Sequence, residues 1–353
     1  MSRALLCFVL ILAACARNAD VRTVPEPLHE PAEPHVAVEP ASFVEPSGAT
    51  LGEWTLRPLG RGNVQGMAVV DGDLLFILGT DGGNARIGRH SESEPPWTFE
   101  PIDAGATAIG ANIATDGTST FVSVARCDFM AMRCALAVGT LEGSFEVAVD
   151  ACGMSSLRHA LVVTSSGQPA LVNSCRGDTR LTVRDGGAWS DRVLHERATW
   201  VVDAAVDSSG VVFAMGSWSV WRVDVDGVEG DVMPEGSDPS AIAACRGRVW
   251  AAFEVDGEDG TEVQAGPWDG DDWSLETIPS TVLGTTKIAF DEECRPFVSV
   301  ANEVFARSGE GFRGGAISTL GNVHALIVHE GELYAGIDDG GDVSVATAAI
   351  VPE

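Results

Sequence analysis

The chain has 353 residues, with 51 Asp and Glu against 22 Lys and Arg, a formal charge of −29, and 45% hydrophobic residues. That much apolar material excludes a disordered chain, and the acidity excludes nucleic acid as a partner, because phosphate backbones are held by clustered Lys and Arg. The 40 glycines follow no three-residue period and sustained apolar heptads are absent, which excludes collagen-like and coiled-coil classes.

The first predicted element is an export signal. Arg3 gives a positive start, and Ala4 to Ala14 is an apolar run too short to span a bilayer as a mature helix. The run Leu12-Ala13-Ala14-Cys15 resembles the lipobox of bacterial lipoproteins. The resemblance implies that residues 1–14 are removed, that Cys15 is diacylated, and that lipid alone ties this acidic protein to a membrane. Ala16, where Asp would mark inner-membrane retention, implies an outer-membrane lipoprotein facing the periplasm or the exterior. Residues 15–49 interleave Pro25, Pro27, Pro31, Pro34, Pro40 and Pro46 with Glu26, Glu30, Glu33, Glu39 and Glu45, the composition of an extended, self-repelling tether. His29 and His35 within it read as inert.

Over residues 50–353 the pattern is all-β: short apolar runs broken by Gly, Asp and Asn, without 3.6-residue periodicity. A hairpin signature recurs from Met67 to Phe76, Asn112 to Phe121, His159 to Gly167, Asp203 to Gly210, Ala241 to Gly247, Lys287 to Cys294 and His324 to Gly331. A further strand follows each of the first six: Trp97 to Ile102, Phe145 to Val149, Trp189 to Leu194, Val228 to Val232, Trp273 to Ile278 and Phe312 to Ile317. Trp54-Thr-Leu-Arg-Pro-Leu59, ahead of the first hairpin, matches Trp97-Thr-Phe-Glu-Pro-Ile102 and supplies the strand that the seventh lacks. Roughly 43 residues per copy suits a four-stranded unit. The repeats resemble seven-bladed β-propellers, and the resemblance implies a ring in which the N-terminal strand closes the last blade. A pair of β-sandwiches is the competing arrangement.

Beyond Cys7 and Cys15, six cysteines allow fifteen pairings. The blade map implied by the resemblance favours Cys127 with Cys134 across a hairpin, Cys152 with Cys175 between two loops of the third blade, and Cys245 with Cys294 between turns of adjacent blades. The first two fall on the face where propellers usually bind ligands. No CxxC pair points to a metal.

The hairpin starts Met67, Asn112, His159, Asp203, Ala241, Lys287 and His324 are expected as a ring near the channel mouth, with Lys287 the only lysine of the chain. His159 beside Asp203 suggests an acid–base or metal pair, against which stands a wet channel whose polar groups satisfy one another. Arg126, Arg133, Arg158 and Arg176 are expected on the same face, a fork set suited to carboxylates, phosphates or acidic sugars, or else spent on Asp128, Asp150 and Asp178. Acidic turns at Asp224 to Gly227, Asp256 to Gly260, Asp269 to Asp272 and Asp338 to Asp342 invite calcium, or are simply solvated hairpin turns. Asp185-Gly-Gly-Ala-Trp189 and Asp269-Gly-Asp-Asp-Trp273 are similar to the Asp-box of sialidase-like propellers but lack its SxDxGxxW spacing, so no sialidase site carries over. No catalytic motif of the common hydrolase, zincin, P-loop or dinucleotide types is present. The expectation is a protein- or glycan-binding scaffold of the cell envelope, with a propeller hydrolase or lyase acting on a polysaccharide or lactone as its rival.

Overall fold

The computed structural model describes residues 48–79, 84–90, 98–104, 108–128, 130–131, 133–141, 143–153, 158–224, 227–230, 232–257, 260–317 and 321–353. The expected export signal, Cys15, the expected tether through residue 47 and Trp97 lie outside the described residues.

Within residues 46–353 the chain forms seven antiparallel sheets. Ahead of the first complete sheet come β1 (Ala49–Leu51) and β2 (Thr55–Arg61). Blade 1 holds β3 (Asn63–Val70), β4 (Asp73–Gly79), β5 (Arg86–His90) and β6 (Thr98–Pro101); blade 2 holds β7 (Ala108–Thr115), β8 (Thr120–Asp128), β9 (Arg133–Thr140) and β10 (Glu146–Gly153). Blade 3 holds β11 (His159–Val163), β12 (Pro169–Asn173), β13 (Thr179–Asp185) and β14 (Ala188–His195), and blade 4 holds β15 (Val201–Val206), β16 (Val212–Gly216), β17 (Ser219–Val223) and the two-residue β18 (Val228–Glu229). Blade 5 comprises β19 (Ser237–Cys245), β20 (Arg248–Gly257), β21 (Gly260–Pro267) and β22 (Glu276–Ile278); blade 6 comprises β23 (Thr286–Phe290), β24 (Pro296–Val300), β25 (Glu303–Ser308) and β26 (Gly311–Ala316). Blade 7 has β27 (Asn322–His329), β28 (Glu332–Asp339) and β29 (Asp342–Pro352). Its outer edge is covered by β2, running antiparallel along β29 from Thr55 opposite Thr347 to Arg61 opposite Asp342, and by β1, from Ala49 opposite Pro352. The fold is a seven-bladed β-propeller.

Local chemistry explains the hairpins. Between β3 and β4 the Asp71-Gly72 pair has φ of 53° and 84°, and Glu330-Gly331 between β27 and β28 has 50° and 78°, the doubly left-handed geometry whose twist matches the flanking strands. Second strands are apolar on both faces because each is sandwiched between neighbouring blades: Leu74 to Leu78 and the whole of β16 are buried. Packing is therefore between blades. Val172 and Leu181 meet Val212 and Trp221 across blades 3 and 4, and Phe213 and Met215 meet Phe253 and Trp273 across blades 4 and 5. Leu74 and Phe76 meet Tyr334 and Val345 where the ring joins.

All three expected cysteine pairs are bonded. One assignment changes: Cys152 belongs to β10, opposite Cys134, so its bond to Cys175 ties blade 2 to blade 3 rather than two loops of blade 3. The outer strand of blade 2 runs longer than its Phe145 to Val149 pattern suggests, bulging twice before Cys152.

Candidate functional site: the channel mouth

Antiparallel order puts the connections between second and third strands, and those between blades, at one end of the ring. The innermost strands surround a channel of about 770 Å³ lined by residues from all seven blades, which extends from Gln65, Asp203, Lys287 and His324 to the turns at Asp116 and Arg246 at the opposite end.

Five innermost strands carry an extra residue toward the end where blades connect: Gln65, Gly110, Val202, Ser240 and His324 interrupt their ladders, whereas β11 and β23 run without a bulge. Counting along the sequence therefore slips by one from blade to blade, and the seven expected positions do not form one tier. Met67 and Asn112 pair with Phe76 and Ser123; Asp203, Ala241 and Lys287 pair with Met215, Ala252 and Ser299; His159 pairs with Asn173 at the outer end of its strand, and His324 is itself a bulge. Met67, Asn112, Asp203, Lys287 and His324 line the channel. The bulges also stitch the ring: Gln65 Oε1 accepts the Ala111 amide at 2.8 Å, and Asn112 Nδ2 donates to the His159 carbonyl at 2.8 Å.

His159 and Asp203 take different partners. His159 is buried, its Nε2 2.8 Å from Ser123 Oγ in blade 2. Asp203 accepts the Ala204 amide and lies 3.6 Å from Lys287 Nζ, two blades away. That gap exceeds hydrogen-bond length, so the pair is electrostatic and the ammonium donors stay available. Ala241, on the intervening strand, is buried in the apolar packing between blades 5 and 6 and does not line the channel.

His324 sits beside this pair. Burial holds its pKa below the ordinary histidine value; Asp338 opposes the shift, while Lys287 and Arg158 reinforce it through space. The ring is therefore neutral at pH 7, and Arg158 stands within electrostatic reach of the channel. Arg158 immediately precedes β11, and its guanidinium lies over the Trp200 indole, 4.6 Å from the ring centroid. Trp200 is 61% exposed and Trp218, in the turn between β16 and β17, is 67% exposed. Ser217 Oγ donates to the Trp200 carbonyl and joins the two loops.

The other arginines go elsewhere. Arg126 donates to the Phe145 carbonyl at 3.3 Å and lines a groove of about 580 Å³ between blades 1 and 2 with Glu100 and Asp103. Arg133 is exposed at the start of β9, opposite Asp128 in the ladder, and the Arg176 side chain lies outside what the structure describes. The expected four-arginine grouping is thus divided: Arg126 lies in its groove beside Phe145, and Arg158 stacks on Trp200. Asp178, one of the acids expected to engage them, is held by Arg180 at 2.6 Å.

The acidic turns spend their carboxylates on backbone. Asp269 Oδ1 accepts the Asp271 and Asp272 amides, which hold its pKa below the usual range, and Asp338 Oδ1 accepts the Gly341 amide. Among the described residues, no three His, Cys, Asp or Glu side chains converge to hold a metal ion.

Trp200 and Trp218 were not among the residues that sequence reading selected. Their available signal was position: each stands at a connection between strands, Trp218 flanked by Ser217 and Ser219, where burial gives no reason for a large aromatic.

No protein-family model matches this sequence, and no curated protein matches it. Solved structures do. Virginiamycin B lyase from Staphylococcus aureus superposes with a TM-score of 0.63 at 13% identity, over 84% of this chain and 99% of that one. The WD40 β-propeller domain of Doa1 gives 0.59 at 12%, over 85% and 97%, and YCF48 bound to D1 peptide gives 0.57 at 10%, over 88% and 98%. Likeness at these identities speaks to the fold alone.

Proposed function

We propose that this protein is a lipid-anchored propeller of the cell envelope that binds a protein or glycan through its channel-mouth face. The lipobox-like Leu12-Ala13-Ala14-Cys15 supports the anchor. The observation that carries the binding reading is the pair of solvent-facing indoles, Trp200 and Trp218, on adjoining loops beside Arg158. Exposed Trp next to Arg is the composition of binding hot spots, and folding alone gives no reason to leave two indoles in water. Met130, 96% exposed between Cys127 and Cys134, and Val282 and Leu283, between blades 5 and 6, extend the apolar character of that end.

The test is crosslinking in intact envelopes with mass spectrometry of what is captured, comparing the parent with a Trp200→Ser/Trp218→Ser variant. Loss of a near-stoichiometric partner in the variant is the expected result. Capture of every component unchanged overturns the reading.

One observation favours the enzymatic alternative, a hydrolase or lyase: His324 is kept neutral at the channel beside Lys287, the state a general base requires. Turnover on a polysaccharide and lactone panel that is lost in His324→Gln would establish that alternative.

A further inference from the structure

Charge ties the outer strand of one blade to the next blade at two junctions. Glu276 of β22 meets Arg307 of β25 at 2.6 Å across blades 5 and 6, and Glu146 of β10 meets Arg184 of β13 at 2.8 Å across blades 2 and 3. Each arginine stands opposite the aromatic that opens its own blade's outer strand, Phe312 and Trp189 respectively. The junction of blades 1 and 2 has the acid and lacks the cation. Trp97-Thr-Phe-Glu-Pro-Ile102 repeats the spacing of Trp273-Ser-Leu-Glu-Thr-Ile278, so Glu100 of β6 is the counterpart of Glu276. Beside Phe145, which opens the outer strand of blade 2, the residue is Gly139, one beyond the Glu146–Val138 pair. The Phe145 ring packs so close that a Cβ at Gly139 would meet it at 3.0 Å, so no side chain reaches Glu100 from that position. Among the described residues Glu100 makes no ion pair or hydrogen bond.

The groove of about 580 Å³ lies at this junction, and Arg126 enters it from β8. Arg126 Nη2 reaches the Phe145 carbonyl at 3.3 Å, while its Nε is buried with no hydrogen-bond partner. A buried donor of a charged group left unmet is costly, which points to a partner in the groove. Acid and base thus line one cavity, and among the described residues no carboxylate comes within ion-pair distance of Arg126. We propose that this groove binds a short apolar peptide with both termini free. Its ammonium takes, at Glu100, the place an arginine holds at the other two junctions; its carboxylate meets Arg126; and its side chains lie against Ile87, Ile102, Leu141 and Phe145. A simple anion would face Glu100 and Asp103, and a simple cation would face Arg126, so a ligand bearing both charges is selected. The volume falls within the range of sites for drug-sized ligands, which suits two or three residues. This site is separate from the Trp200 and Trp218 loops of blades 3 and 4, and goes beyond the binding function proposed above.

Calorimetric titration of the full chain tests this with leucyl-leucine, N-acetyl-leucyl-leucine, leucyl-leucinamide and glycyl-glycine. Leucyl-leucine is expected to bind about tenfold or more tightly than each of the others, which lack in turn the ammonium, the carboxylate and the apolar side chains. Arg126→Met is expected to erase the preference for the free acid over the amide, and Glu100→Gln the preference for the free amine over its acetyl form. A merely structural role for either residue would leave those preferences in place. Thermal unfolding establishes that each variant is folded, and the exposed Glu100 keeps the test decisive if Arg126→Met is not. Absence of measurable leucyl-leucine binding, equal binding of the blocked peptides, or preferences unchanged in both variants overturns the site. The Trp200→Ser/Trp218→Ser variant is expected to bind leucyl-leucine like the parent; loss of binding there would put the peptide on the other surface and overturn the groove.

Discussion

His324 shows how a single side chain reports on the charge around it. Its ring is packed among β27 and β28, with Asp338 raising its proton affinity and Lys287 and Arg158 lowering it, and burial decides the balance downward. Between that lowered value and the ordinary histidine value of 6.5, the unfolded chain binds more protons at this site than the folded one, so folding stability rises with pH there. The contribution is complete above 6.5 and is lost as pH falls toward the native value. His324→Gln is expected to flatten the acid limb of a urea-midpoint profile below pH 6.5, and parallel profiles for parent and variant would refute this. Residues of this kind were only partly legible in the sequence. Lys287, Asp203 and His324 were found because they begin recurring hairpins, and they do line the channel. His159, selected by the same rule, is buried against Ser123, because β11 lacks the bulge that shifts its neighbours. A bulge depends on the pairing of two strands and leaves no mark in one strand's own pattern. A second example concerns Glu303, which the repeat pattern does not single out: it is buried and accepts hydrogen bonds from Ser280 Oγ, Thr281 N and Thr281 Oγ1, clamping the loop that carries Val282 and Leu283. The sequence holds no local cue for that clamp, since the partners are 22 and 23 residues away.

Among the elements, hairpins and outer strands were legible because they rest on short-range chemistry: alternation, Gly or Asp at turns, and an aromatic or apolar residue entering each outer strand. The faintest repeat, Val228 to Val232, folds as the two-residue β18, so a weak pattern and a short strand coincide. Disulfides act at the same scale. In the chain-entropy view their contribution grows with the loop enclosed, and the three bonds span 7, 23 and 49 residues. Removing Cys152–Cys175 as a double Ala variant is expected to cost about 2–4 kcal/mol in urea unfolding, about 1 kcal/mol more than removing Cys127–Cys134, with Cys245–Cys294 the largest. The reverse ordering would show that local packing of the buried Cys127, Cys134, Cys152 and Cys175 cluster outweighs loop closure.

For the whole propeller, the ring is completed by strands from opposite ends of the described chain. β1 and β2 cover β29, and Ala49 packs with Phe297, Val304 and Ala306 of blade 6, so these strands seal one blade and brace its neighbour. Deleting residues 48–61 uncovers the outer edge of β29, a row of unpaired backbone groups able to pair with another molecule. Concentration-dependent self-association by light scattering, with a lowered unfolding midpoint, is the expected outcome. A monomer of undiminished stability would show that the closure is dispensable.

That closure also sets a timetable. Thr50 of β1 and Val351 of β29, which meet across it, are 301 residues apart in the chain, so β1 and β2 leave the ribosome long before β29 exists to receive them. Six blades have near-neighbour partners and can assemble as they emerge; the first strand synthesised waits for the last. Contacts of such span are slow to form, and during the wait β2 is as ready to join the β29 of a neighbouring copy as its own. Crowded refolding should therefore yield strand-exchanged rings, each complete yet sewn shut with another molecule's thread.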